Sequence, residues 1–302
     1  MNNNQSNSKS FPAKLILILI SVLIIMVLLT SCSRTGSNLS ELNFKQGAAE
    51  LEFSYLPNIP LDELYPGSNV KIILELENQA AYDATEVEVS IVGLDENYFQ
   101  FYDYKQEVED LEGRNLFNPE GEKMFLEFTG LVRDLLPSAE QYVGDYLLKI
   151  NYKSTMEFSD TVCLNPDLYE VYDTGCKVED IKSYSGQGAP LAITEIKEII
   201  SPGGEAEVEF RITLRNRGDG KIKTIQLGSS ELGGKPIFCE FKSDLDDKRV
   251  IVLDEDKQEA LLFCRTNLES QNSYTTTLIF DFEYDYELKQ KNKLRIINPT
   301  VK

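Results

Sequence analysis

Apolar and polar residues alternate one for one through long stretches of this chain, and that period of two constrains its fold more than any other feature. Phe280, Phe282, Tyr284 and Tyr286 alternate with Asp281, Glu283, Asp285 and Glu287. Val208, Phe210, Ile212 and Leu214 alternate with Glu207, Glu209, Arg211 and Thr213, and Val87, Val89 and Ile91 alternate with Glu86, Glu88 and Ser90. Successive side chains of an extended strand point to opposite faces, so each stretch can pack one face and leave the other polar. Helical periodicity is confined to a turn or two in 106–117 and 131–142. The chain reads as all-β from residue 49 onward.

The alternating stretches come in two sets. Tyr65-Pro66-Gly67 leads into a strand ending at Asn78, and Ser201-Pro202-Gly203 leads into one ending at Asn216. Asn165-Pro166 closes the first set and Asn298-Pro299 the second. A nearly constant offset of about 135 residues between these landmarks is the mark of an internal duplication. The turn signals divide each copy into about seven strands, the count and spacing of an immunoglobulin-like sandwich. The expected strands are 49–56, 69–77, 84–93, 97–104, 122–130, 145–153 and 156–164 in the first copy. In the second they are 191–199, 205–215, 221–228, 236–242, 258–266, 274–286 and 290–297. The organisation expected is therefore a front segment 1–32, a polar tether 33–48, sandwiches at 49–166 and 191–302, and a linker 167–190.

Pro-Gly, an alternating strand, Asn-x-Gly and a second alternating strand resemble the cell-adhesion-related domain, an immunoglobulin-like module of prokaryotic surface proteins. The second copy carries the pattern as Pro202-Gly203, Asn216-Arg217-Gly218, Ile222 and Ile225, and Gly144-Asp145-Tyr146 in the first resembles the family's Gly-x-Tyr. The first copy departs at Asn78-Gln79-Ala80, where the glycine is missing. The resemblance implies a fold and names no ligand.

The front of the chain is a different kind of segment. Residues 1–32 hold Lys9 and Lys14 and no acid, and an apolar run extends from Leu15 to Leu29, interrupted only by Ser21. Basic start, apolar run and small residues are the parts of a secretory signal. As a helix the run would cover about 24 Å, short of the ~30 Å hydrocarbon core. It ends Leu29-Thr30-Ser31-Cys32, which resembles the lipobox of lipoprotein signal peptides and implies a lipid on Cys32. A retained transmembrane helix and a cleaved, free chain are the alternatives; all three place residues 33–302 outside the cytoplasm. Setting Cys32 aside leaves Cys163, Cys176, Cys239 and Cys264, an even number suited to disulfides in an oxidising compartment. Three connectivities are open; Cys163 with Cys176 and Cys239 with Cys264 is favoured because no bridge then joins the two copies, and Cys176 ties the start of the linker back to the first.

Composition excludes several chemistries. The 302 residues contain no His, so no Ser-His-Asp or Cys-His pair and no imidazole ligand exist. A formal charge of −20 repels phosphate backbones, so nucleic acid is not an expected partner. Asp173-Thr174-Gly175 spells the aspartic-protease tripeptide, but that chemistry needs two such aspartates sharing a proton. Asp244, Asp246 and Asp247, with Asp254, Glu255 and Asp256, fall at opposite ends of one short strand and lack the loop pattern of a calcium site. No cofactor or metal is expected.

Tyr98, Tyr102 and Tyr104 alternate against Phe99 and Phe101, which would leave three tyrosines on an outer face as a recognition surface. Asn38-Leu39-Ser40 is a glycosylation acceptor sequence in the tether. The expected function is that of an extracytoplasmic binding or structural protein, held to the membrane by its N-terminal anchor and meeting a protein or glycan of the cell envelope. The alternatives are an accessory subunit of an envelope transport or secretion complex, and an acid hydrolase built on Asp173.

Overall fold

In the structure, a computed structural model, residues 43–166, 176–201, 206–268 and 272–299 are described. The apolar run, Cys32, Asn38 and Asp173 lie outside them. The described residues are all-β and contain no helix. The stretches 106–117 and 131–142 contribute strand and loop instead, because their apolar residues turn inward singly rather than along a helical stripe.

A four-stranded antiparallel sheet runs in the order β1 (Leu51–Tyr55), β2 (Asn69–Asn78), β6 (Lys123–Val132), β4 (Phe99–Phe101). A five-stranded sheet runs β13 (Phe238–Phe241), β15 (Glu259–Asn267), β10 (Glu207–Asn216), β9 (Leu191–Ser201), β8 (Ile181–Ser183). The third sheet has seven strands. Its order is β12 (Lys235–Pro236), β11 (Lys221–Leu232), β16 (Tyr274–Ile297), β7 (Gln141–Leu164), β3 (Thr85–Val92), β5 (Lys105–Glu107), with β14 (Val250–Val252) also on β11. The duplication is visible in this order: β1-β2-β6-β4 and β9-β10-β15-β13 are the same arrangement built from the two sets of strands.

The last strand of each set departs from expectation. The sequence predicts breaks at 154–155 and at 287–289, whereas β7 and β16 are single strands of 24 residues each. No Gly or Pro lies between Asp145 and Leu164 or between Tyr274 and Ile297, so nothing interrupts the extended backbone. The two pair antiparallel over their whole length, from Gln141 opposite Ile297 to Leu164 opposite Tyr274. The last strands of both copies therefore form the middle of one sheet, and at the centre of their ladder Tyr152 faces Tyr286 with ring centroids 5.3 Å apart.

Each smaller sheet covers one end of this ladder. At one end Phe99 of β4 meets Tyr142 at 6.2 Å, and the Tyr55 hydroxyl lies 3.3 Å from that of Tyr146 and accepts from Asn292 at 2.7 Å. At the other, Phe241 of β13 meets Phe282 at 6.5 Å, and Tyr184 stands edge-on to Phe158 at 4.9 Å. The even-numbered residues of β16 from Leu278 to Leu288 are all buried, as the period of two requires. Cys163 is bridged to Cys176 and Cys239 to Cys264, the latter across the β13–β15 ladder.

Part of the expected linker is structured. β8 pairs with β9, Gly47 bridges to Gln187, and Gly186 to Pro190 are buried. A Cβ on Gly186 would stand 2.3 Å from the Gly47 carbonyl oxygen, and one on Gly188 would stand 2.1 Å from that of Phe44, so both glycines are needed for the approach. The end of the expected tether, 43–48, is held by these contacts and by the Arg114 guanidinium 5.2 Å over the Phe44 ring.

The two Asn-x-small turns have one geometry despite their different third residue. Asn78 Oδ1 accepts from Ala80 N at 3.1 Å and Asn216 Oδ1 from Gly218 N at 3.0 Å, an Asx turn in both. The glycine is demanded by packing: a Cβ at 218 would lie 2.2 Å from Glu50 Oε2 and 2.3 Å from the Tyr286 hydroxyl.

Candidate functional site

Because β16 is one strand, its odd-numbered positions form one continuous row on the outer face of the long sheet. Asp281, Glu283, Asp285 and Glu287 are followed in the same row by Lys289, Lys291, Lys293 and Arg295. Four acids and four bases thus stand in two blocks along one strand. Neither small sheet covers this side, and Glu283, Lys289, Lys291, Lys293 and Arg295 are exposed.

The centre of the row is neutralised internally. The Glu287 carboxylate is 3% exposed and lies 2.6 Å from Lys149 Nζ, 2.8 Å from Lys223 Nζ and 2.7 Å from Lys289 Nζ. Burial pushes its pKa up, but the three ammonium groups outweigh that and bring it down to about 2. They also resolve a conflict in the ladder, where Lys149 stands directly opposite Lys289. Outside this centre the row has charged cross-strand neighbours, Lys153 opposite Asp285 and Asp145 opposite Lys293, but they form no close ion pair with it. Among the described residues no ion pair involves Glu283, Asp285, Lys291, Lys293 or Arg295, while Asp281 accepts from Ser229 Oγ at 2.5 Å. A shallow groove of about 390 Å³, bordered by Glu86, Lys153, Glu283 and Asp285, lies in the acidic half.

A second polar cluster is internal. The Tyr286 hydroxyl donates to Glu50 and accepts from Gly220 N at 2.8 Å, while Asp219 N donates to Glu50 at 3.1 Å. Burial raises the Glu50 pKa, against the opposing pull of these donors. Nearby, Leu51 N donates to the Tyr152 hydroxyl at 3.5 Å. The arrangement ties the start of the first copy to the last strand of the second, and its role is structural.

Glu198 on β9 is 8% exposed and has one carboxylate oxygen without a partner. Burial pushes its pKa up to about 7; Lys182 lowers it and Asp180 raises it. Lys182 itself binds Asp160 at 3.0 Å, and Tyr184 donates to the same oxygen at 2.7 Å, so this cation is already engaged.

The tyrosine surface expected from sequence is divided. Phe99 and Phe101 enter the core, but Tyr98 stacks on Tyr142 at 4.0 Å, and the Tyr104 hydroxyl donates to the Phe99 carbonyl at 2.8 Å. Only Tyr102 of the three is exposed, at 67%. The reason is length: β4 stops at Phe101, so the flanking tyrosines leave the pleat and fold back onto its edges. The acidic clusters cap turns, with Asp247 Oδ1 accepting from Arg249 N at 2.9 Å and Asp254 Oδ1 from Asp256 N at 3.0 Å. Among the described residues no three acidic or cysteine side chains converge as a metal would require. The charged row was within reach of sequence reading, since the alternation of 281–287 continues through 289–295; the expected break at 287–289 concealed it.

No protein-family model matches the chain, and no curated protein matches it. Among solved structures, the secreted serine protease VesC from Vibrio cholerae aligns over 81% of this chain and 51% of its own, with 12% identity and a TM-score of 0.22. The present chain thus spans about half of that protease's length. The CupB6 tip adhesin from Pseudomonas aeruginosa aligns over 84% of this chain and 99% of its own, with 10% identity and a TM-score of 0.21. At such scores neither likeness bears on fold or function.

Proposed function

We propose that this is an extracytoplasmic binding or structural protein of the cell envelope, built of two fused immunoglobulin-like sandwiches and held to a membrane by its N-terminal segment. It works by contact, without catalysis. The observation that carries this reading is the use of cysteine: four of the five are joined in two disulfides, and the fifth, Cys32, stands directly after an apolar run. Disulfides persist in oxidising compartments, and loops of these lengths each stabilise a fold by about 3 kcal/mol. The anchor would hold the sandwiches close to the membrane and raise their local concentration toward envelope partners. The outer face of the long sheet is the surface best suited to contact, since it is broad, polar and uncovered.

Metabolic labelling with a lipid precursor tests the anchor. The native chain is expected to carry the label and Cys32→Ala to lose it; label retained by the variant would rule out lipidation at this cysteine. Crosslinking on intact cells, with the partner identified by mass spectrometry, tests the role. Crosslinks from the long-sheet face to an envelope component support it, and crosslinks confined to cytoplasmic proteins refute it.

A further inference from the structure

The charge row on β16 is its own complement, and we propose that the outer face of the long sheet binds a second copy of this chain. The row changes sign at Leu288, with acids before it and bases after it at every second residue. Consider a twofold axis lying between two stacked sheets, perpendicular to β16 at Leu288. It sets Lys291 over Asp285 of the second copy, Lys293 over Glu283 and Arg295 over Asp281, and each pairing occurs twice. A long basic side chain and a carboxylate reaching toward one another bridge the ~10 Å between stacked sheets.

Three observations favour a second copy over another occupant. A chain of formal charge −20 repels itself almost everywhere, yet this row carries equal numbers of acids and bases. The acids and bases that the axis would join have no ion-pair partner among the described residues of their own chain, whereas Glu287 beside the axis is satisfied within it. The groove beside Glu283 and Asp285 gives the incoming lysines a place to enter. A uniformly acidic or basic partner would match one half of the row and be repelled by the other.

The test is zero-length carbodiimide crosslinking of the purified full-length chain in detergent at low ionic strength, with peptide mapping. Lys291 and Asp285 are six residues apart on one straight strand, roughly 20 Å, so an amide between them can form only between two molecules. Lys291–Asp285 and Lys293–Glu283 amides are expected, and their yield should fall roughly tenfold in 0.5 M salt, where exposed charges are screened. Two charge-reversed chains complete the test: Glu283→Lys with Asp285→Lys, and Lys291→Glu with Lys293→Glu. Each alone should sediment as a monomer, and an equimolar mixture should restore the dimer, because their rows then complement one another. A native chain that stays monomeric at roughly 100 µM, far above the range where six charge pairs should act, would overturn the proposal. So would association that both variants retain, which would place the contact elsewhere.

Discussion

The hydroxyl of Tyr286 donates a hydrogen bond to the carboxylate of Glu50, joining residues 236 positions apart in sequence. Gly218 passes close over this pair, and only a hydrogen occupies the space that a Cβ would take. Gly218→Ala should therefore destabilise the protein by about 2 kcal/mol, the usual cost of overpacking a filled site. The equivalent turn in the first copy carries Ala80, and Ala80→Gly should change stability by less than about 1 kcal/mol. Urea denaturation of the two variants checks the contrast. Tyr286→Phe should cost about 1–2 kcal/mol at neutral pH. The Glu50 pKa is raised, so ionising this carboxyl lowers stability as pH increases; the loss in the phenylalanine variant should be smaller at pH 4 than at pH 7.

Glu287 should be the most costly single charge to remove from the long sheet. Its pKa near 2 lies below the ordinary carboxylate value of 4.5. The ionised form thus contributes stability above pH 4.5 that disappears as pH falls through about 2. Glu287→Gln leaves Lys149, Lys223 and Lys289 facing one another and should lose about 3 kcal/mol at pH 7. Denaturation at pH 7 and at pH 2 measures it, with the difference between native and variant shrinking at the lower pH.

Glu198 should behave in the opposite sense. Its pKa of about 7 lies above 4.5, so its contribution is intact below pH 4.5 and is lost as pH rises through 7. Glu198→Gln keeps the shape and removes the titration. The variant should gain about 3 kcal/mol over the native chain at pH 8 and differ little from it at pH 4. Thermal melts at the two values check both.

The alternation made the fold class legible, and the paired Pro-Gly and Asn-Pro landmarks made the duplication legible, because both depend on local backbone chemistry. What sequence did not show was the joining of the copies. Glu287-Leu288-Lys289 looks like the end of one strand and the start of another when charge density is taken as a sign of a turn. Only the pairing with Asn151, Ile150 and Lys149 shows that the backbone continues. The same long-range contact decides the charged row, since the partners of Glu287 come from three different strands. Placing Tyr98, Tyr102 and Tyr104 on one face requires a full-length strand. A strand of three residues cannot hold them in one plane. The cysteine pairing needed only the condition that no bridge joins the two copies, with Cys176 of the linker tied back to the first.

The central proposal is that residues 33–302 work outside the cytoplasm, and the state of the cysteines in the native protein tests it most directly. Cells expressing the full-length chain are lysed in acid with excess alkylating reagent, and the four cysteines are mapped without reduction. The account predicts that Cys163–Cys176 and Cys239–Cys264 peptides are recovered as disulfides with almost no alkylation at any of the four. Recovery of all four as alkylated free thiols would place the folded chain in a reducing compartment and contradict it.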